Sequence, residues 1–329
     1  MTLTPTTKRS RALIALALAP FLVWAAPLAG LAVAGRDLAP FLAFPPRTEH
    51  VAHPSFAWSA FVVLAAPFIG AISLYWAAFA RARPAPTPAP LSRFPKWGWI
   101  GCGLLVLGWI LAWSDGWVPP EWRRHTFTPI WLGYIVAMNA LAYRRSGRSL
   151  LTHRTRWLLA LFPASAVFWW LFEYLNQFVD NWYYVGIPAE SDLDYFLQAT
   201  LPFATVLPAI AATWDWLHLA PRMDAVSLPA IRGHRSLAVI ALLAGIAGLA
   251  GIGIWPETLF AALWLAPLLL LCGLQQVLVG DTFLTPLQRG DWRPLLPKAK
   301  ARNSGVVAFV QNTRTTEILQ ALMLPSCGS

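Results

Sequence analysis

Eight long apolar stretches recur between residues 12 and 280, and no other feature constrains the fold so tightly. They run over 12–34, 55–80, 97–113, 126–143, 157–179, 195–218, 236–254 and 258–280. At about 1.5 Å per residue, the third stretch spans roughly 26 Å as a helix and the fifth roughly 34 Å. Both lie near the ~30 Å hydrocarbon thickness of a bilayer. In lipid each segment must satisfy its own backbone donors and acceptors, which leaves helices. The expected fold is all-α, a polytopic membrane helix bundle of about eight transmembrane helices. Composition agrees: 12% of residues are charged, against about 25% in soluble domains.

The basic residues then orient the chain. With the N-terminus inside, the inner segments hold Lys8, Arg9 and Arg11, then Arg81, Arg83, Arg93 and Lys96, then Arg144, Arg145, Arg148, Arg154 and Arg156. Arg222, Arg232 and Arg235 follow, and the tail adds six more, so 21 of the 25 basic residues lie inside. The outer loops keep four, Arg36, Arg47, Arg123 and Arg124, together with nine of the fifteen acids. This bias predicts an N-in, C-in multi-pass membrane protein. It also accounts for the net charge of +10, so the expected partner is the lipid bilayer and not nucleic acid. Trp97, Trp99, Trp157, Trp214 and Trp216 fall at predicted inner boundaries. Trp113, Trp117, Trp182 and Trp255 fall at outer ones. Interfacial anchoring is the expectation for most of them.

The chain divides into two N-terminal helices (1–80), a basic linker with five prolines (81–96), a six-helix membrane core (97–280) and a cytoplasmic tail (281–329). The linker should be an extended spacer. Residues 12–34 could also be read as a signal peptide ending at Ala32-Val33-Ala34, although the apolar run is longer than an ordinary h-region. The glycines at 245, 248, 251 and 253 predict close helix packing. Prolines 20, 27, 67, 163, 202, 208 and 267 predict kinks.

Chemistry concentrates in FWWLFEYLNQFVDNWYYVG, residues 168–186. Glu173 is the one acid placed well within a span, about 24 Å along its helix and so in the outer half. Trp169, Glu173, Asn176 or Gln177, and Asp180 share one helical side. A lipid-facing carboxylate costs several kcal/mol, so this stripe should face other helices or a wet cavity. A protonated Glu173 could donate to an acceptor on a neighbouring helix. By depth, Gln198 is the best partner and Tyr134 another; Asn139, Gln275 and Gln276 lie further in.

Three functions fit this pattern. One is binding or passage of a small or lipid-like ligand in an outward-facing polar pocket at Glu173. The second is an intramembrane enzyme on a lipid or isoprenoid substrate, with Glu173 as general acid. The third is a structural or assembly subunit with Glu173 as a packing device. His50 and His53, in EHVAH, are weak metal candidates: His-x-x-His in a loop lacks the helical zinc signature. Asp215 and His218 suggest a local pair. Cys102, Cys272 and Cys327 show no disulfide or metal spacing. No Gly-rich phosphate loop, Ser-His-Asp set or CxxC pair occurs, and no cofactor is expected.

From TFTPIWLGYIVAMNALAYRRSGRSLLTHR through the stretch above to GDTFLTPLQRGDWRPLLPKA, roughly residues 120–299, the chain resembles a family of uncharacterised bacterial polytopic membrane proteins. The most specific piece is Glu-x-x-Asn followed by Asn-Trp-Tyr-Tyr: Glu173, Asn176, Asn181, Trp182, Tyr183 and Tyr184. The resemblance implies membrane location and a shared motif, with no activity to carry over. It also implies a further helix with a second Glu-and-Asn motif. This sequence departs after Ala299 into a polar tail, which suggests a truncated or frameshifted C-terminus, or else a different cytoplasmic tail. TTEILQALML in that tail could form a short helix stopped by Pro325. A faint similarity between TPIWLGYIVAMNAL and AALWLAPLLLLCGL raises an internal duplication.

Overall fold

The computed structural model describes residues 5–48, 56–83, 92–114, 116–184, 189–217, 219–226 and 235–280, and the backbone of 306–311 and 318–324. Through residue 280 the described chain is helical. In order the helices are α1 (Pro5–Val33), α2 (Trp58–Arg81), α3 (Lys96–Ala112), α4 (Pro120–Arg124), α5 (Phe127–Ser146), α6 (Leu150–His153), α7 (Thr155–Asn176), α8 (Asp192–Phe203), α9 (Val206–Leu217), α10 (Pro221–Asp224), α11 (Arg235–Ile254), α12 (Pro256–Leu259) and α13 (Ala262–Val279).

Six segments are long and apolar enough to cross a membrane: Ser10–Val33, Phe61–Arg81, Thr155–Asn176, Asp192–Leu217, Arg235–Ile254 and Ala262–Val279. The expected third and fourth spans are the helices α3 and α5, which are not among these six. α3 is short, at 17 residues, and α5 carries Arg144 and Arg145 in its last turn and a buried Asn139.

Local chemistry sets the ends. α5 stops at Gly147, which adopts φ 71° and donates its N–H to Tyr143 O at 2.7 Å. A left-handed residue is needed there, and glycine takes that conformation without a Cβ penalty. Ser149 and Thr152 then form a reciprocal capping box on α6. Ser191 caps α8 by accepting from Asp194 N, with Asp192 and Asp194 complementing the helix dipole.

Two packing groups result. Helices α1, α11 and α13 meet through small residues: Gly30 lies against the Ala250 backbone, Gly253 against Pro27 and Leu31, and Gly273 against Ala238 and Leu242. The glycine-rich run of α11 is therefore the close-contact surface that its composition suggested. Helices α3 and α5 form an antiparallel pair, because Gly98 meets Ala140 while Gly108 meets Ile130. α7 joins the groups. It packs on α1 and α13 to one side and on α8 and α9 to the other. α2 is almost wholly exposed and is held near its C-terminal end, where Arg222 of α10 stacks over Phe79 at 4.9 Å and donates to the Phe79 carbonyl.

The sixth span is broken between α8 and α9. Pro208 has no N–H for the carbonyl of Ala204, and its ring crowds that turn. Ser165 of α7 fills the gap. Its hydroxyl donates to Phe203 O and accepts from Leu207 N at 3.0 Å. Those two backbone groups would otherwise bond each other, so Ser165 is inserted into the helical ladder. Ser165 is fully buried, and a neighbour's hydroxyl is what makes such a break tolerable in lipid.

The tail corrects one expectation. Ile318–Leu324, read as part of a short helix, is instead a strand paired antiparallel with Val306–Gln311, Val307 opposite Met323. The β-branched run beginning at Val306 supplies a partner, and pairing overrides a modest helical propensity. The centre of the linker (84–91), His50, His53 and His218 lie outside the described residues.

Candidate functional site

Glu173 sits in the last turn of α7 and is 1% exposed. It neither faces lipid nor stands clear of the bundle. Three donors converge on its Oε1: the indole N–H of Trp169 at 2.9 Å, the indole N–H of Trp182 at 3.0 Å, and the Tyr184 hydroxyl at 2.6 Å. Trp169 is one turn back on the same helix. Trp182 and Tyr184 come from the segment that follows α7.

That segment returns because the helix end is wired to reverse. Asp180 takes a left-handed conformation at φ 49° and donates its N–H to Asn176 O at 2.7 Å. Asp tolerates this geometry better than most residues. The fully buried Asn176 side chain then uses all of its amide. Its Oδ1 accepts from Asn181 N and Trp182 N at 2.9 and 3.3 Å; its Nδ2 donates to Trp182 O at 2.7 Å and to Thr48 Oγ1 at 3.2 Å. Thr48 in turn donates to Trp182 O. Trp182 packs against Trp264 of α13, with ring centroids 5.2 Å apart. Glu173, Asn176 and the Asn-Trp-Tyr-Tyr stretch thus form one clasp that ties α7, its return loop, the segment between α1 and α2, and α13.

Several expectations are corrected here. Oε1 is an acceptor for indoles that can only donate, and its lone pairs are filled. Oε1 is thus an acceptor, and none of its three donors comes from another helix. Trp182, expected at an outer boundary, is partly buried and donates its indole N–H to the carboxylate. Trp117 and Trp255, by contrast, are strongly exposed. Burial pushes the Tyr184 phenol above its ordinary pKa, and the Glu173 carboxylate adds to the rise, so Tyr184 stays a protonated donor.

Gln198 is also elsewhere. Its Nε2 donates to Asp194 Oδ1 at 2.9 Å, one turn back on α8. Tyr134 shares a 2.7 Å hydrogen bond with Thr213, joining α5 to α9. Asn139 bridges Ile135 O and Leu151 N, closing the turn into α6. Depth alone brought none of these three to the carboxylate.

Gln198 and Tyr134 do meet Trp169 and Tyr184 in another place. All four line a cavity of about 1230 Å³ between α5 and the broken α8–α9 pair. Its walls are mostly apolar, including Leu197, Leu201, Val206 and Ile210, and Arg124, His125 and Thr128 lie at one end. Leu197, Leu201 and Ile210 are more than half exposed, so the cavity is a groove opening on the bundle's outer face. Glu173 is not among the lining residues, but two of its donors, Trp169 and Tyr184, are. No aspartate or glutamate is among the lining residues. Asp180 and Asn176 are not among the lining residues. Among the described residues, no three His, Cys, Asp or Glu side chains gather as a metal site requires.

The fold and its apolar helices are those of a multi-pass membrane protein. No family model, curated protein or solved structure matches the chain.

Proposed function

We propose that this is a bacterial inner-membrane protein of eight transmembrane helices, N-in and C-in, that binds a lipid-like ligand in the groove between α5 and α8–α9. The observation that carries this is the groove itself. Its volume of about 1230 Å³ exceeds the roughly 300–1,000 Å³ of ordinary small-molecule pockets. It is apolar along its length, polar at one end, and open on a face that meets hydrocarbon in a bilayer. Each methylene transferred from water to such a surface is worth about 0.8 kcal/mol, but a ligand arriving from lipid gains mainly shape and head-group contacts. Selectivity should therefore come from the polar end.

In this reading Glu173 is a positioning residue. It fixes the Trp169 and Tyr184 side chains that form one wall, and it has no open path to a ligand. A general-acid role has less support, because neither Glu173 nor any other acid is among the residues lining the groove.

Native mass spectrometry of the detergent-extracted protein tests the binding. Wild type should retain lipid that Val206→Trp, which fills the groove, does not. Equal retention by a folded Val206→Trp variant refutes the groove as the binding place.

A further inference from the structure

We infer that the ligand of this groove is a bilayer phospholipid with an anionic head group, held at Arg124. This rests on the groove reading above and adds the head-group class. The argument begins with how few cations the outer side carries. Of the four, Arg36 donates to Gly253 O at the end of α11. Arg47 pairs with Asp192 at 2.9 Å and lies over the Tyr195 ring. Arg123 is half-buried and engaged within the protein. Arg124 is different: it is exposed, it lines the groove, and among the described residues its guanidinium has no hydrogen bond or ion pair.

Its position is also electrostatically unfavourable for the protein alone. Arg124 and His125 immediately precede α5, whose first turn carries the positive end of the helix dipole. Thr126, at the N-cap, gives its hydroxyl to Arg123 O and caps nothing. The acid of α4, Glu121, lines a separate shallow cavity on the α3 side and is absent from this groove. A guanidinium set beside uncompensated backbone donors is complementary to a phosphate, which it can meet with two parallel hydrogen bonds.

The source of that phosphate follows from the walls. A free phosphate would use only the polar end. The remaining wall, from Leu197 along to Leu217, needs hydrocarbon beside it. Leu201 and Ile210 flank it on the exposed face, so an acyl chain can lie in the groove while its head reaches Arg124. The lipid enters from the leaflet without crossing water.

The test uses the full-length protein exchanged into mixed micelles holding equal phosphatidylglycerol and phosphatidylcholine, with bound lipid counted by native mass spectrometry. Wild type should prefer phosphatidylglycerol by about tenfold. Arg124→Gln should bring the two lipids to near parity without lowering the total bound, and Arg124→Lys should restore part of the preference. Unchanged preference in a folded Arg124→Gln variant overturns the head-group assignment while leaving the groove intact. Val206→Trp serves as the separate control. If it retains both lipids as wild type does, the groove reading itself fails. Phosphatidylcholine bound as well as phosphatidylglycerol by wild type overturns the inference directly.

Discussion

Replacing Glu173 is the most informative perturbation of the clasp. Glu173→Ala leaves three donors facing a gap. A buried donor deprived of its acceptor costs about 1–3 kcal/mol. Trp182 is held between α7 and Trp264 and should bear the full cost. Trp169 and Tyr184 border the groove and can recover part of theirs from water. The expected loss is therefore about 3–4 kcal/mol, well short of the ~9 kcal/mol that three full penalties would sum to. Glu173→Gln keeps an acceptor at the same place. Charge-assisted hydrogen bonds are roughly twice as strong as neutral ones, but the neutral amide no longer buries a charge, so its loss should stay near ~1 kcal/mol. Unfolding of the detergent-solubilised variants gives the ranking. Chymotrypsin gives the location, because Trp182, Tyr183 and Tyr184 become cleavable once the return loop is released. An alanine variant within about 1 kcal/mol of wild type, with the loop still protected, would refute the clasp.

Asn176→Asp should be nearly as damaging as Asn176→Ala, at about 2–4 kcal/mol, since a carboxylate cannot donate to Trp182 O and Thr48; a silent Asn176→Asp in the same unfolding assay contradicts this. Ser165→Ala strips the hydroxyl from the α8–α9 break and should cost about 1–3 kcal/mol, with faster amide exchange at Leu207 as its local signature. Tyr184 titrates higher folded than unfolded, so its contribution is complete below about pH 10, the ordinary phenol value, and is lost as pH rises through the folded value. Tyr184→Phe should flatten that alkaline loss relative to wild type in unfolding scans. For topology, single cysteines at Trp117 and Ser146 in a cysteine-free background should label from opposite sides with an impermeant maleimide, Trp117 from outside; labelling of both from one side removes α5 as a span.

Much of this was legible beforehand. Apolar run lengths predicted the helices, and the cost of a charge in hydrocarbon predicted that Glu173 would be buried. The glycines of α11 announced their contact. What stayed hidden was the partner set. Helical periodicity relates residues on one rod, and depth relates rods to one another, but neither follows a chain that turns back on itself. Of the three donors to Glu173, periodicity had placed Trp169 on its side of the helix, whereas Trp182 and Tyr184 lay nine and eleven residues ahead, past a left-handed Asp180. A signal existed: donor-only indoles and a phenol directly after a buried acid, with an Asn able to satisfy a turn. The groove was less accessible still. It depends on the break at Pro208, and a proline announces a kink without its direction. The tail failed for another reason, since strand pairing is decided by a partner segment and not by local propensity.

The inserted hydroxyl of Ser165 has a mechanical consequence. An unbroken helix carries a bend along its whole length, whereas two short rods bridged by one side chain behave as a jointed arm. The upper rod is moored to Trp170 through Thr200, the lower to α5 through Thr213 and Tyr134. The joint at Ser165 therefore lies between two rods tied to different partners, the upper to α7 and the lower to α5.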